Sequence, residues 1–123
     1  MGSSDLGQLP QNVRERLLRL QQLQNTLQSL AAQRQRLELE LSETERALKS
    51  LEDVPPERKI YKSVGALLVE KEKEAVVKEL TERKELLEVR VKVLGRQEDK
   101  TRKRALELQK ILQKELGIER GST

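Results

Sequence analysis

Apolar residues step along this chain by alternating threes and fours in two long stretches, and a short segment of different rhythm separates them. The first series runs Val13, Leu20, Leu23, Leu27, Leu30, Leu37, Leu41, Leu48 and Leu51, with Arg16, Arg34 and Thr44 as interruptions. The second runs Val77, Leu80, Leu87, Val91, Leu94, Ala105, Leu108 and Leu112, broken by Lys84, Glu98 and Thr101. Such spacing lays one apolar seam along each of two helices, the pattern of a coiled coil. Between them Ile60, Tyr61, Val64, Leu67, Leu68 and Val69 supply β-branched, aromatic and aliphatic side chains around Gly65, which reads as a β-hairpin. The predicted fold is mostly α: a long antiparallel two-helix coiled coil joined by a single β-hairpin.

Helix punctuation sets the expected boundaries. Pro10 suits a first helical turn, where its missing N–H costs nothing, and Pro55-Pro56 must end that helix. Glu70, Glu72 and Glu74 place negative charge where the second helix should open, while Lys114 and Gly117 mark its end. The expected division is a disordered tail over 1–8, a first helix over 9–53, a linker and hairpin over 54–70, a second helix over 71–117 and a second disordered tail over 118–123. Acid-to-base pairs four residues apart, such as Glu45/Lys49 and Glu88/Lys92, recur along both helices. Each adds about 0.3–0.5 kcal/mol to a solvated helix.

A short connection folds the second helix back on the first, and the register follows. With Leu51 opposite Val77, the layers continue as Leu48 with Leu80, Thr44 with Lys84, Leu41 with Leu87 and Leu37 with Val91. Farther from the hairpin the match deteriorates, since Leu30 meets Glu98, Leu27 meets Thr101 and Leu23 meets Ala105. That half therefore carries surplus apolar surface, which ordinarily awaits a partner. Leu9, Leu17, Leu18, Ile111, Leu116 and Ile118 lie off the seam toward both termini, so one apolar tip is expected there. The candidate partner-binding residues are Leu9, Val13, Leu17, Leu18, Leu20, Leu23, Leu27, Ile111, Leu112, Leu116 and Ile118. Gly95 is a soft point inside the second helix.

The hairpin poses a different problem. Two strands alone are marginal in water, and a thin coiled coil offers no core to shelter them. Unpaired strand edges invite other strands, most simply into an intersubunit β-barrel that abolishes edges. Ile60, Tyr61, Val64, Gly65, Leu67, Leu68 and Val69 are the candidate oligomerisation residues.

Composition narrows the function. The 123 residues are 37% charged and 35% hydrophobic, too little apolar material for a large globular core. There is no His and no Cys, which removes imidazole acid–base catalysis, thiol nucleophiles, zinc fingers and disulfides. No catalytic residues, metal site or cofactor are expected, and no Gly-rich loop followed by Lys-Ser/Thr suggests a nucleotide. No apolar run is long enough to cross a bilayer, so no membrane association and a cytoplasmic location are expected. Residues 1–54 carry seven Lys/Arg against eight Asp/Glu, and residues 55–123 carry eighteen against thirteen. The basic cluster Lys100, Arg102, Lys103, Arg104 is interleaved with Glu98, Asp99 and Glu107, and the one aromatic, Tyr61, lies far from it. A solvated helix face explains it better than nucleic-acid binding.

Helix, one hairpin and helix, with both termini at a common tip, resembles the β subunit of archaeal prefoldin over about residues 8–117. The segments that carry the resemblance are Gln8-Leu9-Pro10-Gln11-Asn12-Val13, Glu38-Leu39-Glu40-Leu41-Ser42-Glu43-Thr44, Ile60-Tyr61-Lys62-Ser63-Val64-Gly65 with Leu67-Leu68-Val69, and Arg96-Gln97-Glu98. The single hairpin favours the β type over the α type, which carries two. The resemblance implies an ATP-independent holdase built of two α and four β subunits, whose hairpins form a double β-barrel from which coiled coils hang. It further implies that non-native polypeptides are held at the tips and delivered to a group II chaperonin. The competing expectation is a structural coiled-coil scaffold or adaptor with a folded partner.

Overall fold

The computed structural model of the chain describes residues 8–117. Its elements are helix α1 (Gln11–Glu52), strand β1 (Ile60–Val64), strand β2 (Leu67–Lys71) and helix α2 (Lys73–Glu115). The expectations for the tails over 1–7 and 118–123 lie outside the described residues. Neither Gly nor Pro interrupts the 42 residues of α1. The Pro10 carbonyl accepts hydrogen bonds from the amides of Val13 and Arg14, both at 3.1 Å. Pro10 thus caps the helix from outside, and α1 opens at Gln11 rather than at residue 9.

The second helix also opens later than its glutamates suggest. Ile60 pairs with Lys71, which keeps residues 70 and 71 in the strand. The Glu72 carbonyl then accepts from the Val76 amide at 3.1 Å, and α2 starts at Lys73 with Glu74 in its first turn. At its other end the Leu116 amide donates to the Leu112 carbonyl at 2.9 Å, and Gly117, with φ 70°, takes the left-handed position that closes a helix.

The chain divides into two compact units. The hairpin unit comprises residues 34–93, and the terminal unit comprises, in its described part, 8–33 and 94–117. In the hairpin unit the positions of the expected seam are withdrawn from solvent: Leu37, Leu41, Thr44, Leu48 and Leu51 on α1, and Val77, Leu80, Lys84, Leu87 and Val91 on α2. Thr44, a polar interruption, is buried, and its Oγ1 donates to the Glu40 carbonyl at 2.8 Å, so its hydroxyl is satisfied by its own helix. Arg83 Nη2 meets Glu40 Oε2 at 3.4 Å across the two helices, and Lys73 Nζ donates to the Val54 carbonyl at 2.6 Å. As the residue number rises on α1 its partner's falls on α2, as an antiparallel pair requires.

The terminal unit repeats the scheme with more polar filling. Val13 and Leu112 are buried, while Leu17, Leu20, Leu23, Leu27 and Leu30 on α1 and Leu94, Ala105 and Leu108 on α2 are half-buried. Glu98 and Thr101 are buried in the seam, Thr101 Oγ1 donating to the Gln97 carbonyl at 2.8 Å. Arg16, an interruption on α1, forms an ion pair with Glu115 of α2. The leucines of the mismatched layers are half-buried, as Leu37, Leu41, Leu48 and Leu51 of the hairpin unit are, whereas Leu87 of the matched Leu41 layer is buried to 3% exposure.

Two predictions follow from this packing. Gly95 lies inside α2 with no positive φ, and a Cβ placed there meets nothing within 4 Å. Gly95→Ala should raise stability by about 1 kcal/mol in chemical denaturation, because only the backbone-entropy cost of glycine is removed; a loss of stability would show that the helix needs glycine there. In the hairpin unit, a hydrogen bond from Lys62 and its positive charge hold the Glu79 carboxyl below the usual carboxylate range. A depressed pKa in the folded state makes this link fully present above the ordinary carboxylate range and lost as pH falls through the lowered value. Acid titration followed by NMR should therefore loosen β1 only below that range, and Glu79→Gln should abolish the transition; an unchanged titration in the variant would refute the assignment.

Candidate functional site

The hairpin is held by a two-residue turn. Val64 pairs with Leu67, Lys62 with Val69 and Ile60 with Lys71, leaving Gly65 and Ala66 as the turn residues. Gly65 has φ 58° and no other residue of the turn has positive φ, the geometry of a II′ turn with glycine at its first central position. In such a hairpin the pair flanking the turn exchanges both hydrogen bonds and the pairs alternate thereafter. Val64–Leu67, Lys62–Val69 and Ile60–Lys71 are then bonded inward. The N–H and C=O groups of Tyr61 and Ser63 point away from β2, and those of Leu68 and Glu70 point away from β1. Among the described residues the sheet has only these two strands, so both edges present backbone groups that no described strand pairs.

The side chains carry the same message. Ile60, Lys62, Val64, Leu67, Val69 and Lys71 share one face, where Lys62 reaches Glu79 of α2 beside a shallow cleft of about 310 Å³ that Glu40, Thr44, Leu80 and Arg83 help to line. Tyr61, Ser63, Leu68 and Glu70 share the other. Ile60 is half-buried, whereas Tyr61, Val64, Gly65, Leu67, Leu68 and Val69 are exposed, Leu68 to 72%. Apolar side chains on both faces and open hydrogen-bonding groups on both edges together make a surface that water does not satisfy.

In the terminal unit the candidate residues separate into two groups. Val13 and Leu112, each 4% exposed, form its core, Leu20, Leu23 and Leu27 are half-buried along the seam, and Leu9 and Leu17 are half-buried off it. Placing Val13 and Leu112 among the contact residues needs correction, because their side chains are spent on joining α1 to α2. Leu18, Ile111 and Leu116 are exposed, Leu18 to 66%. Ile118 lies outside the described residues. Leu106, exposed on α2 of the same unit, is not among the expected residues, lying off the seam and farther from the chain end than Ile111. Leu39, Leu86, Val89 and Val93 of the hairpin unit are exposed as well and lie away from both termini.

Among the described residues no group of three or more His, Cys, Asp or Glu side chains is arranged to hold a metal ion, and no helix is long and apolar enough to cross a membrane. The one resolved perturbation of a carboxyl, at Glu79, belongs to an exposed ion pair that anchors the hairpin to α2.

Comparison with known proteins agrees with this architecture. The family description "Prefoldin subunit" matches residues 14–118. The chain is 47% identical over 116 residues to prefoldin subunit beta of Archaeoglobus fulgidus, covering 94% of this chain and 100% of the relative. It is 43% identical to prefoldin subunit beta of Pyrobaculum neutrophilum, covering 94% of this chain and 92% of the relative. Among solved structures, the crystal structure of the prefoldin beta subunit from Thermococcus strain KS-1 is similar with a TM-score of 0.79 at 39% identity, over 85% of this chain and 92% of that one. Coiled-coil periodicity converges between unrelated proteins, but identity at this level over helices and hairpin alike does not, and the chain belongs to the prefoldin family, among subunits of the archaeal β type.

Proposed function

We propose that this chaperone subunit is part of an ATP-independent holdase that captures non-native polypeptides on the exposed apolar side chains of its terminal unit and hands them to a group II chaperonin. The chain assembles with other prefoldin subunits. In the proposed complex two α and four β subunits join their hairpins into a β-barrel platform in the cytoplasm. The observation that carries the capture step is the exposure of Leu18, Leu106, Ile111 and Leu116 within one unit whose core is already closed by Val13 and Leu112. Each such side chain can contribute about 1–2 kcal/mol when an unfolded segment covers it. Single contacts of that size release readily, and several subunits acting on one chain supply retention through effective concentration. A passive binder of this kind needs no nucleotide, and the sequence holds no phosphate-cradling motif.

The assembly step is supported by the hairpin edges. Strands from neighbouring subunits would receive the outward N–H and C=O groups of Tyr61, Ser63, Leu68 and Glu70, while Tyr61 and Leu68 would be covered on one face.

The test is native mass of the chain with an α-type prefoldin subunit, followed by aggregation of an unfolded client without ATP. Suppression of aggregation by a hexamer is the expected result; a stable complex without effect on any client would favour a scaffold. Leu18→Ser, Ile111→Ser and Leu116→Ser combined should reduce protection at least fivefold while leaving the mass unchanged, since these side chains hold little of the fold; full protection would refute the site. Tyr61→Glu with Leu68→Asp should dissociate the complex in light scattering, whereas an unchanged mass would exclude hairpin assembly.

A further inference from the structure

The positive charge of the chain is confined to one unit. Residues 34–93, the hairpin unit, hold fourteen Lys and Arg and fourteen Asp and Glu, and are neutral. The described residues of the terminal unit hold ten Lys and Arg against five Asp and Glu, a surplus of five that exceeds the +4 of the whole chain. Internal pairing sharpens the imbalance. Of the five acids, Glu98 is buried at 4% exposure, Asp99 is engaged by Arg102 at 3.1 Å, and Glu115 is engaged by Arg16. Only Glu15 and Glu107 stand exposed without a cation among the described residues. By contrast Arg14, Lys100, Lys103, Arg104, Lys110 and Lys114 are exposed and form no ion pair among the described residues.

These bases stand beside the apolar side chains that the capture step uses. On a helix, residues three and four apart are surface neighbours. Arg14 lies four before Leu18. Lys103 lies three before Leu106 and Lys110 four after it, and Lys114 lies three after Ile111. Leu18, Leu106 and Ile111 thus each have an exposed base within one helical turn.

We propose that the terminal unit selects acidic clients: non-native polypeptides in which carboxylates alternate with apolar residues, bound with their apolar side chains on Leu18, Leu106 and Ile111 and their carboxylates on the neighbouring bases. The inference rests on the holdase reading and specifies its substrate class. A cationic unit steers anionic chains toward it and repels cationic ones, which acts mainly on encounter and is screened over a Debye length of about 8 Å at physiological salt. An acidic polypeptide fits better than a single-stranded nucleic acid. Single strands are held by stacking bases on aromatic rings, and the chain's one aromatic, Tyr61, belongs to the hairpin unit.

The experiment uses the assembled complex with its α-type partner and one reduced, alkylated, permanently unfolded polypeptide with a carboxylate surplus, before and after its carboxylates are converted to neutral amides. At 50 mM salt the carboxylate form should bind about tenfold more tightly than the amidated form, and the ratio should fall toward one at 500 mM salt. In a complex carrying Lys100→Gln, Lys103→Gln and Lys110→Gln, with mass and helix content checked, the ratio at 50 mM should drop at least threefold. Equal binding of both forms at low salt, with aggregation still suppressed, would overturn the charge preference and leave the holdase intact. Failure to hold either form would overturn the holdase itself. Displacement of the carboxylate form by an oligonucleotide of equal affinity would also overturn the proposal, because the unit would then read phosphate.

Discussion

A two-stranded sheet with both edges open and apolar side chains on both faces is the constraint on which the rest of this molecule depends. Its turn is well made: Gly65 takes the one positive φ that the two-residue connection needs, and the cross-strand pairs run without a bulge from Val64–Leu67 to Ile60–Lys71. Within the hairpin unit its visible anchors to the helices are the Lys62–Glu79 ion pair and the half-buried Ile60. An exposed ion pair is worth little, of the order of 0–1 kcal/mol, and cannot make a solitary hairpin stable. The hairpin thus leaves backbone groups and apolar side chains that its own unit does not cover, which is what the proposed assembly would cover.

The helices obey a related economy. Two helices alone cannot enclose a side chain, and among the described residues no large side chain is fully buried. The seam tolerates polar residues where their hydrogen bonds close locally, as Thr44 and Thr101 do on the carbonyls four residues earlier. In the terminal unit Val13 and Leu112 close the core, which frees Leu18, Leu106, Ile111 and Leu116 to remain at the surface. Apolar exposure of that kind has no use in folding. Exposed bases of the same unit, Arg14, Lys103, Lys110 and Lys114, stand within one helical turn of Leu18, Leu106 or Ile111, and exposed acids Glu15 and Glu107 stand there too.

Much of this was legible in the sequence, for physical reasons that differ by element. The seam could be read because three-four spacing fixes which residues face a partner helix, and Leu37, Leu41, Leu48, Leu80 and Leu87 are withdrawn from solvent. Gly65 could be read because little but glycine opens a turn of that type. The start of α2 could not, since the strand pairing of Lys71 with Ile60 is a tertiary fact that overrides a run of glutamates favouring a helix. The division between Val13, which is buried, and Leu18, which is not, follows the same spacing, since Val13 lies on the seam and Leu18 off it. The Lys62–Glu79 and Arg16–Glu115 pairs join elements far apart in the chain and depend on which face each presents, which spacing along a single helix does not encode.

Amide hydrogen exchange at the strand edges tests the central claim most directly. The outward amides of Tyr61, Ser63, Leu68 and Glu70 should exchange quickly in the isolated chain and become strongly protected on assembly with an α-type subunit, while the inward amides of Lys62 and Val69 change far less. Equal exchange of the outward amides in the isolated and assembled states would contradict the account, since the subunits would then be joined by something other than their hairpins.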